Sequence, residues 1–342
     1  MKNKILQKLK KGTVLVGEGY LFELERRGYV KAGAFVPEVV LDFPDAVREL
    51  HREFLRAGSD VMVAFTYYAH RDKLRVIGRE NDLEPMNRQA LRIANEIAKE
   101  GDAIVAGNIS NTWVYDPNDK DRSAKLVYNM FDEQVRWAVE EGVDFIIAET
   151  IEYVEEAKIA TEVIKKYNLP AVITLGATYD KSKDNYDWIE GCKIVEASGA
   201  DVVGFNCIRG PQTMMPLLEK LRKNVKIYTA ALPVTYATTE EYPAFQFLRY
   251  DRKKKYPMYM ELDKFLLSRY EMAEFAKQAE ELGINYIGVC CGGAPHQVRA
   301  IAEALGRIVP ASKYSPDMSK HGLLGDETVV NEHEKEFLKM WK

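Results

Sequence analysis

Asn285-Tyr-Ile-Gly-Val-Cys-Cys-Gly-Gly-Ala-Pro-His296 is a short apolar run that stops on two adjacent cysteines. Two glycines follow, then a proline suited to the first turn of a helix at Pro295. Neighbouring side chains on a regular strand point to opposite faces, so Cys290 and Cys291 cannot meet one ligand there. At a strand end the freedom of Gly292 and Gly293 lets both sulfurs swing toward one point. A third sulfur stands in the same context upstream, in Asp201-Val-Val-Gly-Phe-Asn-Cys207. Three thiolates from two strand ends make a tetrahedral zinc site with its fourth position open, the arrangement of a catalytic zinc. The simpler reading takes each cysteine as a small, well-buried apolar residue. Three at strand ends, followed by special backbone, favour the metal.

The same grammar recurs through the chain. An amphipathic helical stretch closes on glycine and a short apolar run begins one or two residues later, as at Gly58-Ser-Asp60, Gly101-Asp102, Gly142-Val-Asp144, Gly199-Ala-Asp201 and Gly283-Ile-Asn285. Glycine suits the left-handed position that ends a helix. The continuous apolar runs read as strands of a parallel sheet buried on both faces. Eight are expected, over residues 13–18, 60–66, 103–108, 144–149, 171–176, 201–206, 225–230 and 285–290, with helical patterns between them such as 45–57 and 85–100. Eight β-then-α units fit a closed (β/α)8 TIM barrel over residues 1–308. An open doubly wound sheet is the rival, with its ligands at one switch point. Glu18, Glu149, Cys207 and Cys290 end the first, fourth, sixth and eighth runs. Only a ring gathers those four ends around one mouth.

Composition bounds the rest. The 342 residues are 46% hydrophobic and 29% charged, enough for a substantial core, and the net charge of −4 offers no basic footprint for nucleic acid. No apolar run approaches the roughly 18 residues of a membrane span, and the charged N-terminal residues do not read as a secretory signal. Four cysteines without disulfide-scaffold spacing point to a reducing cytoplasm, where thiolates are free to hold metal. Cys192 falls on one helical face with Trp188, Ile189 and Val195 and reads as core. The five histidines lack zinc-pair spacing; His296 reads as an exposed helix start, with a hydrogen bond behind the metal as the alternative.

A zinc ion with three thiolates carries a formal charge of −1. It suits binding and deprotonating a further thiol better than activating water. The substrate is then a thiol, and the reaction an attack by its sulfur on a cationic donor. Glu18 and Glu149 suit the ammonium of an amino-acid thiol; tied to barrel lysines or arginines they are merely structural. Phe35, Tyr67, Tyr68, Trp113 and Tyr115 crowd the same mouth as faces for an onium group, at about 0.5–2 kcal/mol each. Two connections are long, 19–44 and 232–267, the second carrying Lys253-Lys254-Lys255, which reads as solvated surface. Residues 309–342 lie outside the eight units, as an arm across a partner subunit in a homo-oligomer or as a helix on their own barrel.

These residues resemble the zinc-dependent homocysteine S-methyltransferases, most closely the betaine-dependent branch, over residues 12–322. The likeness is carried by Leu24-Glu-Arg-Arg-Gly-Tyr-Val-Lys-Ala-Gly33, Leu50-His-Arg-Glu-Phe-Leu-Arg-Ala-Gly58, Val154-Glu-Glu-Ala157, Arg299-Ala-Ile-Ala-Glu303 and the paired cysteines with Asn206-Cys207. The resemblance implies Cys207, Cys290 and Cys291 as ligands of Zn2+, Glu149 as the holder of L-homocysteine, Gly19 as a backbone contact beside it, and Tyr68 as a wall of the donor site. It implies methyl transfer from a small donor, betaine foremost, to give methionine. S-methylmethionine and a methyl-corrinoid protein are the alternative donors; a non-catalytic zinc or thiol-binding barrel and a zinc hydrolase are the alternatives of another class. Four positions depart from the betaine branch, all near the donor pocket. Glu18 replaces an aspartate, Tyr20 a glycine, Phe35 a tryptophan and Thr150 a tyrosine, the last as in the broader family.

Overall fold

The structure is a computed structural model that describes residues 3–31, 33, 36–249, 262–317 and 332–340. Eight parallel strands form a closed barrel: β1 Val14–Gly17, β2 Val61–Val63, β3 Ile104–Ser110, β4 Phe145–Ile151, β5 Ala171–Leu175, β6 Val202–Asn206, β7 Tyr228–Leu232 and β8 Tyr286–Val289. The ring shuts where β1 pairs with β8, from Val14 opposite Tyr286 to Gly17 opposite Val289. Helices α1 Pro44–Arg56, α2 Leu83–Ala98, α3 Lys120–Glu140, α4 Val154–Lys166, α5 Trp188–Ala197, α6 Pro211–Asn224, α7 Arg269–Glu281 and α8 Pro295–Ala304 follow the strands in turn. Every strand residue except Tyr228 is buried, so the runs are continuously apolar rather than alternating.

The glycine punctuation has a definite structure. Gly58, Gly142, Gly199 and Gly283 have φ between +81° and +102°. The amide after each donates to the carbonyl five residues back, at 3.0 Å for Ser59 to Phe54 and 2.9 Å for Ile284 to Ala279. That wrapped end satisfies carbonyls a helix terminus would leave bare. The polar residue that follows then caps the neighbouring strand. Asp60, Asp144, Asp201 and Asn285 accept from the amides of Leu15, Val105, Ala171 and Thr229 at 2.8–3.2 Å. One short phrase thus stops a helix and fixes the base of a strand.

Three expectations shift. The seventh strand occupies 228–232 rather than 225–230: Val225 closes α6, and the amides of Lys226 and Ile227 go to Glu196 Oε1 at 2.7 and 3.0 Å instead of a strand ladder. β3 and β4 each run two residues past the expected end, which puts Glu149 inside β4. Gly101 is not left-handed, because α2 has already ended at Ala98 with Lys99 closing it. The first long connection holds the helix Tyr20–Arg26 and a turn of helix at Val39–Asp42. Among the described residues, no helix is long and apolar enough to cross a membrane.

Candidate active site

Cys207 follows β6 with φ +53°, and Ile208 after it has φ +57°. Two successive left-handed residues without glycine cost about 1–3 kcal/mol each, and a β-branched one is an outlier. The chain accepts that strain to turn the Cys207 sulfur over the mouth, while its amide still reaches Leu232 O at 2.8 Å. Cys290 and Cys291 follow β8 in a tight turn closed by Gly293 N to Cys290 O at 2.9 Å, with Gly292 at φ +84°. The turn brings both neighbours to one side. The three sulfurs lie within 4.8 Å of one another, Cys207 and Cys291 at 3.5 Å. Hydrogen bonding from Cys290 and Cys291 pushes the Cys207 thiol well below the ordinary range, and donating those hydrogen bonds to Cys207 pushes the other two above it.

A second cluster adjoins the first. Oxygens of Glu18 and Glu149 lie within 4.8 Å of each other and of the Cys290 sulfur. Glu149 is held by the Nδ2 groups of Asn108 and Asn206, the latter at 2.9 Å from Oε2. The same Asn206 amide reaches Thr150 Oγ1 at 2.9 Å and Cys290 Sγ at 3.8 Å, and its Oδ1 accepts from Thr150 N at 2.7 Å. Neither oxygen of Glu18 accepts from an amide or hydroxyl among the described residues, and its carboxyl group faces that of Glu149. Burial, then the Glu149 charge, raises the Glu18 pKa well above the carboxylate range. Burial lifts Glu149 to about 7 against the pull of Asn108 and Asn206. The site is therefore rich in acidic groups and short of a cation.

Both clusters open into a cavity of about 360 Å³ at the C-terminal mouth of the barrel, where such barrels carry their active sites. Gly19 lines it, and a Cβ there would sit 1.9 Å from Gly293 O, so only glycine lets the β1 and β8 ends close. Tyr67, Tyr68, Trp113 and Thr150 line it as well. Thr150, Tyr68 and Trp113 are left-handed, at φ +56°, +58° and +67°. Tyr115 is a correction: it lies outside the cavity lining and packs its ring 5.2 Å from Tyr153. Phe35 and the Lys253-Lys254-Lys255 run lie outside the described residues. From the strand-seven connection, Phe245, Gln246 and Phe247 reach the cavity. His296 is exposed at the start of α8, and Cys192 is buried in the core.

Residues given no role from the sequence include Asn108 and Asn206, which hold Glu149, and Lys73, Thr178, Tyr179 and Lys183, which line the cavity. An asparagine within an apolar strand was the available signal for the first two. The others sit in connections, where spacing carries no such contrast.

A homocysteine S-methyltransferase family model matches residues 17–305. Betaine–homocysteine S-methyltransferase 1 of Danio rerio is 38% identical, over 95% of this chain and 80% of its own length. S-methylmethionine–homocysteine S-methyltransferase BHMT2 of Pongo abelii is 37% identical, over 95% of this chain and 86% of its own. The metallated form of the homocysteine methyltransferase MmuM from Escherichia coli has the same fold, with a TM-score of 0.68 at 17% identity over 85% of this chain and 96% of that one.

Proposed function

Because the chain belongs to the homocysteine S-methyltransferase family, we propose that it makes methionine by moving a methyl group from a small onium donor, glycine betaine foremost, to L-homocysteine, with Zn2+ held by Cys207, Cys290 and Cys291. The observation that carries this reading is the meeting of three thiols from two strand ends beside a pair of buried carboxyl groups. The sulfurs suit the ion. At a zinc–sulfur distance of about 2.3 Å, tetrahedral ligands stand about 3.8 Å apart, and Cys207 and Cys291 stand 3.5 Å apart. Held there, Zn2+ would supply Lewis acidity that lowers the pKa of a substrate thiol so that its sulfur is ionised at neutral pH.

The chain's own residues do the rest. A buried carboxyl group without a hydrogen-bond partner needs a donor or a cation, and an amino-acid ammonium is both. Glu18 has no amide or hydroxyl donor among the described residues and faces Glu149, which is pinned by Asn108 and Asn206 for the same purpose. Gly19 and Thr150 form the adjoining wall. The substrate sulfur attacks the donor's methyl carbon; a carbon–sulfur bond forms, the carbon–nitrogen bond breaks, and its electron pair leaves with a neutral tertiary amine. Opposite charges cancel in this step, so walls of low polarity such as Phe65 and Tyr20 favour it. Holding both reactants also turns a bimolecular encounter into an effectively intramolecular one.

Relatives named for betaine and for S-methylmethionine are almost equally similar, so the donor is tested directly. Zinc-loaded protein and homocysteine are incubated with betaine, S-methylmethionine or a methyl-corrinoid protein, and methionine is measured. Betaine is expected to support turnover, and Cys290→Ala to lose both zinc and activity. Methionine from one of the other donors alone would replace betaine and keep the homocysteine half. No methionine from any of them would overturn the reading.

A further inference from the structure

We propose that Lys73 binds a carboxylate on the methyl donor and thereby selects onium compounds that carry one carboxylate and no second cation. The inference rests on the methyl transfer proposed above and names the class of its donor. Lys73 lies in the short helix Arg71–Val76 beyond β2, is half-buried and lines the cavity. Its Nζ stands 4.4 Å from the centre of the Tyr68 ring and 4.5 Å from that of Trp113. Among the described residues, no carboxylate oxygen comes within 4.0 Å of it. The cavity's other lysine is different: Lys183 is paired with Glu152 at 2.6 Å. A cation held over two rings, half out of water and without an anion among the described residues, is a receptor for one.

The charges along the cavity are ordered. At its buried floor stand Glu18, Glu149 and the three sulfurs; at its rim, marked by the 58% exposed Trp113, stand Lys73 and the neutralised Lys183–Glu152 pair. A donor whose onium faces the floor and whose carboxylate trails behind matches that gradient. An amino-acid tail, with ammonium beside carboxylate, brings no net charge to a rim of net charge +1, counted from Lys73, Lys183 and Glu152. The faces of Tyr68 and Trp113 already hold the Lys73 ammonium, and Tyr67, 4.1 Å from Tyr68, is among the other rings lining the cavity that can face the onium group.

The test uses the zinc-loaded full chain, its Lys73→Met and Lys73→Arg variants, and two sulfonium donors differing in the carboxylate, dimethylsulfonioacetate and trimethylsulfonium. For the unaltered protein kcat/KM should favour the carboxylate donor by about 100-fold or more. Lys73→Met should raise the KM of that donor by about 10-fold or more and erase the preference, with homocysteine KM within about 2-fold. Lys73→Arg should restore most of it, and turnover of trimethylsulfonium by Lys73→Met shows the variant to be folded. An unchanged donor KM in Lys73→Met, or an equal rise in homocysteine KM, overturns the inference. Equal use of the two donors by the unaltered protein overturns it alone and leaves the methyl transfer standing. No methionine from either overturns both.

Discussion

Asn206 ties the two halves of the site together with one side chain. Its amide spans Glu149, Thr150 and the Cys290 sulfur while its own backbone leads directly into Cys207. A hydrogen bond to a charged group is worth about 1.5–3 kcal/mol. Asn206→Ala should therefore raise the KM for homocysteine by about 10- to 100-fold, read from steady-state kinetics with zinc content measured on the same samples. A KM within a factor of about two of the original would remove Asn206 from the binding of substrate. The meeting of the three cysteines was legible because it follows from sequence position, at run ends and, for the pair, before glycines. Asn206 was visible only as part of a motif, and Lys73 not at all, because each has a partner 40 or more residues away, Glu149 for one and Trp113 for the other.

At the level of elements, the repeated glycine phrase does most of the building. The carboxylate of Asp144 accepts from Val105 N at 2.9 Å and so fixes the start of β3 against β4. Removing it strands a buried strand amide, which costs about 1–3 kcal/mol. Asp144→Ala should lower the urea midpoint accordingly, whereas Asp144→Asn should recover most of the loss. Asn285 already does this work for β7 with an amide oxygen. Equal destabilisation by both variants would show the charge, through the Lys4 pair at 2.9 Å, to matter instead. Seven of the eight strand positions were readable from this phrase and from apolar runs. The seventh was displaced because Val225 and Ile227 look like strand residues, while the neighbouring amides are claimed by Glu196 from α5. No local pattern reveals a side chain arriving from another helix.

For the molecule as a whole, closure of the ring is what makes the site. β1 pairs with β8 across more than 270 residues of chain, and this sets Glu18 and Gly19 beside the Cys290–Cys291 turn. Arg307 reinforces the junction from beyond α8, bonding Asp60 at 2.7 Å and the Thr13 carbonyl. The ring was legible from the count of β-then-α units and from the wide separation of chemically marked strand ends. The fine shape of the mouth was not, since it depends on left-handed turns at Tyr68, Trp113, Thr150 and Cys207 that no residue type announces. Sulfur coordination of one ion by Cys207, Cys290 and Cys291, with a place left for the substrate sulfur, is the claim on which the chemistry stands. X-ray absorption at the zinc edge, with and without homocysteine, tests it most directly. The expected result is three protein sulfurs around zinc and a fourth on adding homocysteine; a shell dominated by nitrogen or oxygen, or one that homocysteine leaves unchanged, would contradict it.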